Sequence, residues 1–202
     1  MPGGATRDDR SERHRYTAPI SVSRPPCLEN GRDDRLRALL HALFVTAARF
    51  EDVRGAFGRR IGASGPQYTI LAAIAERQGA VARGAAGDGA GIGIRALADH
   101  LHVAASHITT EVNKLVELAL VEKRANPADG RGVLVRLTRA GEAALDRLGP
   151  FRREINDTLF EGVGRAEFHT LARLFQRFLV NTERALDRIG LEERERKRNG
   201  HG

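Results

Sequence analysis

The sequence predicts a mainly α fold with a small β wing, and three observations carry that prediction. Between Ile94 and Leu115, Leu97, Ala98, Leu101, Val103, Ile108, Val112 and Leu115 fall at spacings that let two short helices, joined by a tight turn, cross at a steep angle. Between Leu115 and Gly141 the period changes from a helical stripe to two short β-prone runs, Leu120 to Arg124 and Val133 to Leu137, around a turn-rich insert. Long apolar stripes of helical period flank both features. The combination is a winged helix-turn-helix held between helices.

Residues 1–32 mix Arg, Asp, Ser, Pro and Gly without periodicity, so too little apolar surface is available to offset the entropy of ordering, and a disordered tail is expected. From about Asp33 to Arg60, Leu36, Leu39, Leu40, Leu43, Phe44, Ala47, Phe50 and Phe57 return every three or four residues as one face of a helix, with Asp33 and Asp34 suited to its positive end. Ser64-Gly65-Pro66-Gln67 reads as a capping box opening a short, nearly all-apolar and therefore buried helix that ends at Gly79. Residues 80–93 are rich in Gly and Ala and read as a flexible insertion, with Ile92 or Ile94 adding a short strand beside the wing. The helix-turn-helix and wing then occupy 94–138. Thr138 caps a helix from Arg139 that Gly149-Pro150 should kink or break, because proline removes a backbone donor and crowds the preceding turn. Phe151, Ile155, Leu159 and Phe160 resume the stripe, and a last amphipathic helix runs from about Arg165 to Ile189. The charged residues 190–202 are expected to fray. The organisation is therefore a tail (1–32), N-terminal helices (33–79), an insertion (80–93), a winged domain (94–138), C-terminal helices (139–189) and a second tail (190–202).

The chain has 202 residues, 41% of them hydrophobic, enough to bury a real core. Its formal charge of +7 favours a polyanionic partner, yet Ile94 to Arg139 holds seven basic and five acidic residues, so the charge is compatible with DNA without demonstrating it. One cysteine, Cys27, excludes an intramolecular disulfide and a four-cysteine zinc site. His100, His102 and His107 are close in sequence, but no Cys or paired carboxylate completes a zinc spacing, and no metal or cofactor is expected. No run approaches a membrane span and the amino terminus lacks the apolar core of a secretory signal, so a cytoplasmic protein with no membrane partner is expected. There is no Gly-rich phosphate loop, nucleophile elbow or convergent carboxylate pair, and the sequence does not read as an enzyme.

With these elements in order, the chain resembles the multiple-antibiotic-resistance regulator (MarR) family of bacterial transcription factors over about Asp33 to Ile189. The most specific part is Leu97-Ala98 through Leu120-Val121-Glu122-Lys123-Arg124, then Pro127, Asp129-Gly130-Arg131, and Val133 to Gly141 with its Leu137-Thr138. The resemblance implies a homodimer in which the first and last helices of both subunits interlock, binding double-stranded DNA, with a small-molecule effector. It also implies that the Asp129 carboxylate braces the wing while Arg131 enters the minor groove. The family's effector pocket, which takes aromatic carboxylic acids or related anions, points to His41, Phe44, Arg49, Tyr68 and Phe151 as ligand residues.

On the residues themselves, Ile108, Val112 and Leu115 face inward, which turns Ser106, His107, Thr109, Thr110, Asn113 and Lys114 outward. This set can touch bases or phosphates in a major groove, with Lys114 suited to a phosphate and Asn113 to an adenine. Arg124, at a strand end, suits a phosphate. Asp129 and Arg131 could instead simply pair to hold the turn. His102 stands where this turn usually has glycine, and Glu111 where the family more often has an apolar residue; a carboxylate there needs an Arg or Lys beside it. The favoured function is a homodimeric repressor of a palindromic operator, released by a ligand. A ligand-independent nucleoid-associated or architectural DNA binder is the alternative.

Overall fold

The computed structural model describes residues 16–84, 91–126 and 129–200, with the side chains of 129–131 left out of the description. In order, the elements are α1 (Asp34–Arg60), α2 (Gly65–Ala82), β1 (Ile92–Gly93), α3 (Ile94–Leu101), α4 (Ala105–Glu117), β2 (Val121–Asn126), β3 (Asp129–Leu137), α5 (Arg139–Leu159) and α6 (Arg165–Asn199). The chain divides into two compact units, residues 1–142 and 143–202. No helix among the described residues is long and apolar enough to cross a membrane.

The first unit is built on α2, which packs against α1, α3, α4 and β3. Its start is the capping box read from the sequence: the Ser64 hydroxyl accepts from the Gln67 N–H at 3.3 Å, and the Ser64 N–H donates to Gln67 Oε1 at 2.8 Å. The α1–α2 corner is tight enough that a Cβ on Gly58 would lie 2.5 Å from the Ser64 carbonyl oxygen, so glycine is required there. Ile70, Leu71 and Ile74 of α2 are almost fully enclosed together with Leu97, Ile108, Val112 and Leu115. The tight spacing of these positions therefore builds one core beneath the helix pair. Val103 departs from the expected pattern: it lies in the turn, more than two-fifths exposed, because the chain has already left the α3 stripe.

The sheet is antiparallel in the order β1-β3-β2, with Ile92 opposite Val135 and Val121 opposite Leu137. The strand expected beside the wing is thus Ile92-Gly93. The Leu137 N–H donates to Gln78 Oε1 of α2 at 2.9 Å, a side chain standing in where β1 has run out. Thr138 joins the sheet to α5: its N–H donates to the Leu120 carbonyl, its hydroxyl donates to the Ala119 carbonyl at 2.6 Å, and it accepts from the Gly141 N–H at 3.0 Å. A Cβ on Gly141 would lie 2.1 Å from the Leu120 carbonyl oxygen, which fixes that residue as glycine.

Further expectations are corrected. Part of the expected N-terminal disorder falls on residues 1–15, outside the described residues. Residues 16–33, however, form a turn at Pro25–Cys27 and a bridge between Glu29 and Arg32. The buried Asp33 carboxylate holds this segment, accepting from Arg37 Nε at 2.9 Å and from the Ser21 N–H at 2.7 Å and hydroxyl, while Arg37 also donates to the Pro19 carbonyl. Those bonds hold the Asp33 carboxyl well below the usual range, Arg37 contributing most. Second, α2 continues to Ala82, past Gly79, which shortens the expected insertion; residues 85–90 lie outside the described residues. Third, α5 continues through Pro150 rather than breaking there, and the preceding Gly149 has no Cβ for the pyrrolidine ring to meet.

In the second unit α6 extends ten residues beyond Ile189, to Asn199. The expected frayed tail is helical because Leu191 to Lys197 is made of strong helix formers with alternating charge, and Arg188 pairs with Glu192 one turn on at 3.4 Å. Glu167 reaches back to the Gly164 N–H at 2.8 Å and closes the start of α6. Phe160 meets Phe168 edge-on at 5.8 Å, and Phe175 meets Phe178 at 6.3 Å. No residue of α6 is buried.

Candidate nucleic-acid interface

The helix pair ends each of its members in the same way. The His102 N–H donates to the Asp99 carbonyl and the Val103 N–H to the Ala98 carbonyl after α3. After α4, the Ala119 N–H donates to Val116 and the Leu120 N–H to Leu115. This doubly bonded stop requires a left-handed residue, ordinarily glycine, and the chain supplies His102 at φ 53° and Ala119 at φ 56°. The departure from glycine noted at His102 is therefore real, and a second one exists at Ala119.

Those stops aim α4 so that Ser106, His107, Thr109, Thr110, Asn113 and Lys114 are all exposed on its outer side, while Ile108, Val112 and Leu115 are sealed beneath. The Thr109 hydroxyl donates to the Ala105 carbonyl at 2.9 Å and the Thr110 hydroxyl to the Ser106 carbonyl at 3.1 Å. Both hydroxyl protons being engaged, the two oxygens present acceptor lone pairs outward. Asn113 is held by the wing, its Oδ1 accepting from Lys123 Nζ at 2.5 Å. Lysine can only donate, so this contact fixes which end of the Asn113 amide is the oxygen and leaves its NH2 free to face a ligand.

Lys114 is not extended. Its ammonium lies 2.8 Å from Glu111 Oε1, and Glu111, itself buried, accepts on Oε2 from Gln67 Nε2 at 3.1 Å. The Lys114 bond, opposed by burial and helped by Gln67, holds the Glu111 carboxyl below its ordinary value. The requirement that a cation accompany Glu111 is thus met from one turn away on the same helix.

In the wing, Arg124 is exposed and shares the Glu122 carboxylate, at 2.8 Å, with Arg136 of the facing strand at 3.4 Å. Asp129 and Arg131 lie in β3, Asp129 opposite Asn126; their side chains are outside the described residues.

Four of the five residues expected at an effector pocket lie in the first unit. His41, Phe44 and Arg49 are exposed along α1, Phe44 by 72%, while Tyr68 is buried edge-on against Phe57 at 5.3 Å. Phe151 is half-buried in the other unit. A cleft of about 450 Å³ in the first unit lies elsewhere, between α2, β1 and α3, beside Glu76, Arg77, Ile92 and His100. Cys27 borders a smaller cleft with Leu36 and Leu39.

Sequence reasoning missed Gln67, Lys123, Gln78 and Arg136 as members of this region. Lys123 shares the strand parity of the buried Val121, a signal that would have placed it on the α4 side of the sheet. Gln67 carried only its capping signature, and nothing local told where the second end of its amide would go.

A family model described as a winged helix DNA-binding domain matches residues 90–141, the span of β1 through the start of α5. No curated protein sequence matches the chain. Among solved structures, a MarR/EmrR family transcriptional regulator from Acinetobacter sp. ADP1 superposes with a TM-score of 0.60 at 17% identity, covering 73% of this chain and 96% of that one. The chain has the MarR fold. A MarR mutant from E. coli, solved with operator DNA, gives 0.59 at 22% identity over 72% of this chain and 96% of its own. The PcaV regulator from Streptomyces coelicolor, solved with its natural ligand, gives 0.51 at 23% identity over 66% and 89%. The family resemblance read from the sequence is therefore to the group whose fold this chain shares, and the MarR-type wing coincides with β2 and β3.

Proposed function

We propose that the chain is a MarR-family transcription regulator: a cytoplasmic homodimer that binds a palindromic operator, represses, and is released by a small ligand of the aromatic-acid kind. The observation that carries this reading is the outer face of α4, a contiguous set of short polar side chains backed by a sealed apolar face and flanked by a basic wing. Such a face matches the donor and acceptor pattern of a major groove, and arginines at a wing tip suit the negative potential of a narrow minor groove. Ser106, His107, Thr109, Thr110 and Asn113 read bases or sugar-phosphate, Arg124 takes a phosphate, and Arg131, braced by Asp129, enters the minor groove. Dimerisation is supported by α6, whose Phe168, Leu171, Phe175, Phe178 and Leu179 are exposed in the single chain, an apolar row that a lone subunit would rarely leave to water.

The decisive experiment is a footprint on the DNA flanking the chain's own gene, repeated with aromatic acids and their thioesters. Protection of a two-fold symmetric site, relieved by one of these compounds, is the expected result. Arg131→Ala should weaken operator binding and flatten its salt dependence by about one unit of slope for each arginine withdrawn from the DNA; unchanged binding would remove the wing from the mechanism. Equal affinity for random DNA and for the flanking DNA would favour the architectural reading instead.

A further inference from the structure

The recognition helix is poorer in positive charge than its role suggests: α4 carries one lysine, Lys114, against two glutamates, Glu111 and Glu117. Glu111 sits on the inward side, one turn from Ile108 and from Leu115, both fully enclosed, and is only 8% exposed. A carboxylate in such a place is held there only if both its oxygens are bonded. They are: Oε2 accepts from Gln67 Nε2 at 3.1 Å, and Oε1 accepts from Lys114 Nζ at 2.8 Å. The Gln67 amide cannot turn away, because its Oε1 accepts from the Ser64 N–H at 2.8 Å at the start of α2. A fixed amide thus anchors the carboxylate, and the carboxylate retains the one lysine of the reading helix.

We propose that Glu111, anchored by Gln67, is a positioning and specificity-determining residue that neutralises Lys114, so that α4 reads DNA through neutral polar groups and phosphate attraction is left to the wing. This rests on the DNA-binding reading above. A phosphate contact needs no particular sequence, whereas base contacts fix where α4 sits; on random DNA, with no base match to hold it, the helix is free to shift until a lysine meets a phosphate. Silencing the lysine of the reading helix therefore lowers binding to random DNA more than binding to the preferred site.

The test measures binding of the full chain to a random-sequence duplex and to the duplex flanking its own gene across a salt series. Glu111→Gln keeps an acceptor for Gln67 but frees Lys114. It should steepen the slope of log K against log salt by about 0.9 per bound protomer, the value of one phosphate contact, and narrow the ratio of flanking to random affinity. Adding Lys114→Gln to that variant should return the slope to the wild-type value, since the pair is removed as a neutral unit. An unchanged slope in Glu111→Gln, or a slope shallower than wild type in the double variant, overturns the proposal. If Glu111→Gln does not fold, the wild-type complex decides: the Lys114 ammonium resonance should keep its free-protein shift on adding duplex, and a move to a phosphate-bound shift overturns the proposal. Absence of salt-dependent binding by the wild type to either duplex would remove the DNA-binding reading first, before any variant is compared.

Discussion

At the scale of single residues, two positions expose how closely the winged unit is fitted. Ala119 occupies the left-handed stop after α4 at φ 56°, a conformation that costs an L-residue about 1–2 kcal/mol against glycine. Ala119→Gly should therefore raise stability by roughly 0.5–1 kcal/mol, the remainder being offset by the greater freedom of glycine in the unfolded chain; a denaturant midpoint shifted upward at constant slope is the measurement. Gly141→Ala should do the reverse, because its methyl group would overlap the Leu120 carbonyl, and a destabilisation of about 1–3 kcal/mol is expected in the same assay. Gln67→Ala leaves the buried Glu111 with one donor instead of two and should cost about 1–3 kcal/mol. Of these residues, Gly141 was legible beforehand as part of the wing sequence, and Gln67 in its capping role. The second role of Gln67 was not, because its partner lies 44 positions away in sequence and a capping motif says nothing about what its spare amide protons meet.

At the scale of elements, sequence period was a good guide where an element has one wet and one dry face. The enclosed positions Leu97, Ile108, Val112 and Leu115 and the pairing of β2 with β3 follow directly from it. It failed where a few polar contacts decide. Residues 16–33 have no apolar stripe, yet the Asp33 carboxylate gathers donors from Ser21 and Arg37 and orders them. Asp33→Asn should loosen this segment, seen as faster proteolysis between Ser21 and Arg32. Because the folded Asp33 carboxyl titrates below its unfolded value, its stabilising contribution is present above the ordinary aspartate range and is lost only as pH falls through the lowered folded value. The variant and the wild type should therefore differ in stability at neutral pH and converge in strong acid. At α6 the period faded into alternating charge after Ile189, and the helix continues on intrinsic propensity and pairs such as Arg188 with Glu192.

At the scale of the whole molecule, the proposed regulator needs two copies, since one α4 spans only half of a two-fold site. The exposed row on α6 is where that requirement can be tested. Phe175→Asp with Leu179→Asp should give a monomer by sedimentation, with the winged unit's near-ultraviolet or amide spectrum retained, and binding to the symmetric site reduced by at least about 100-fold. A dimer that survives both changes would place the association surface elsewhere. The proposed effector site was the least legible feature, because a pocket is made by the meeting of distant segments and leaves no period or spacing in any one of them. Within the first unit, the residues suggested for it range from the enclosed Tyr68 to the open Phe44.

The side chain of Gln78, set against the end of the short sheet, gives the wing the mechanics of a cantilever. At its root, β3 is held along one edge by β1 at Leu134 and Val135 and by Gln78 at Leu137, while β2 runs along its other edge. Toward the tip only β2 remains. Bending should therefore be resisted most between Leu134 and Leu137, the stretch of β3 that is held along both edges.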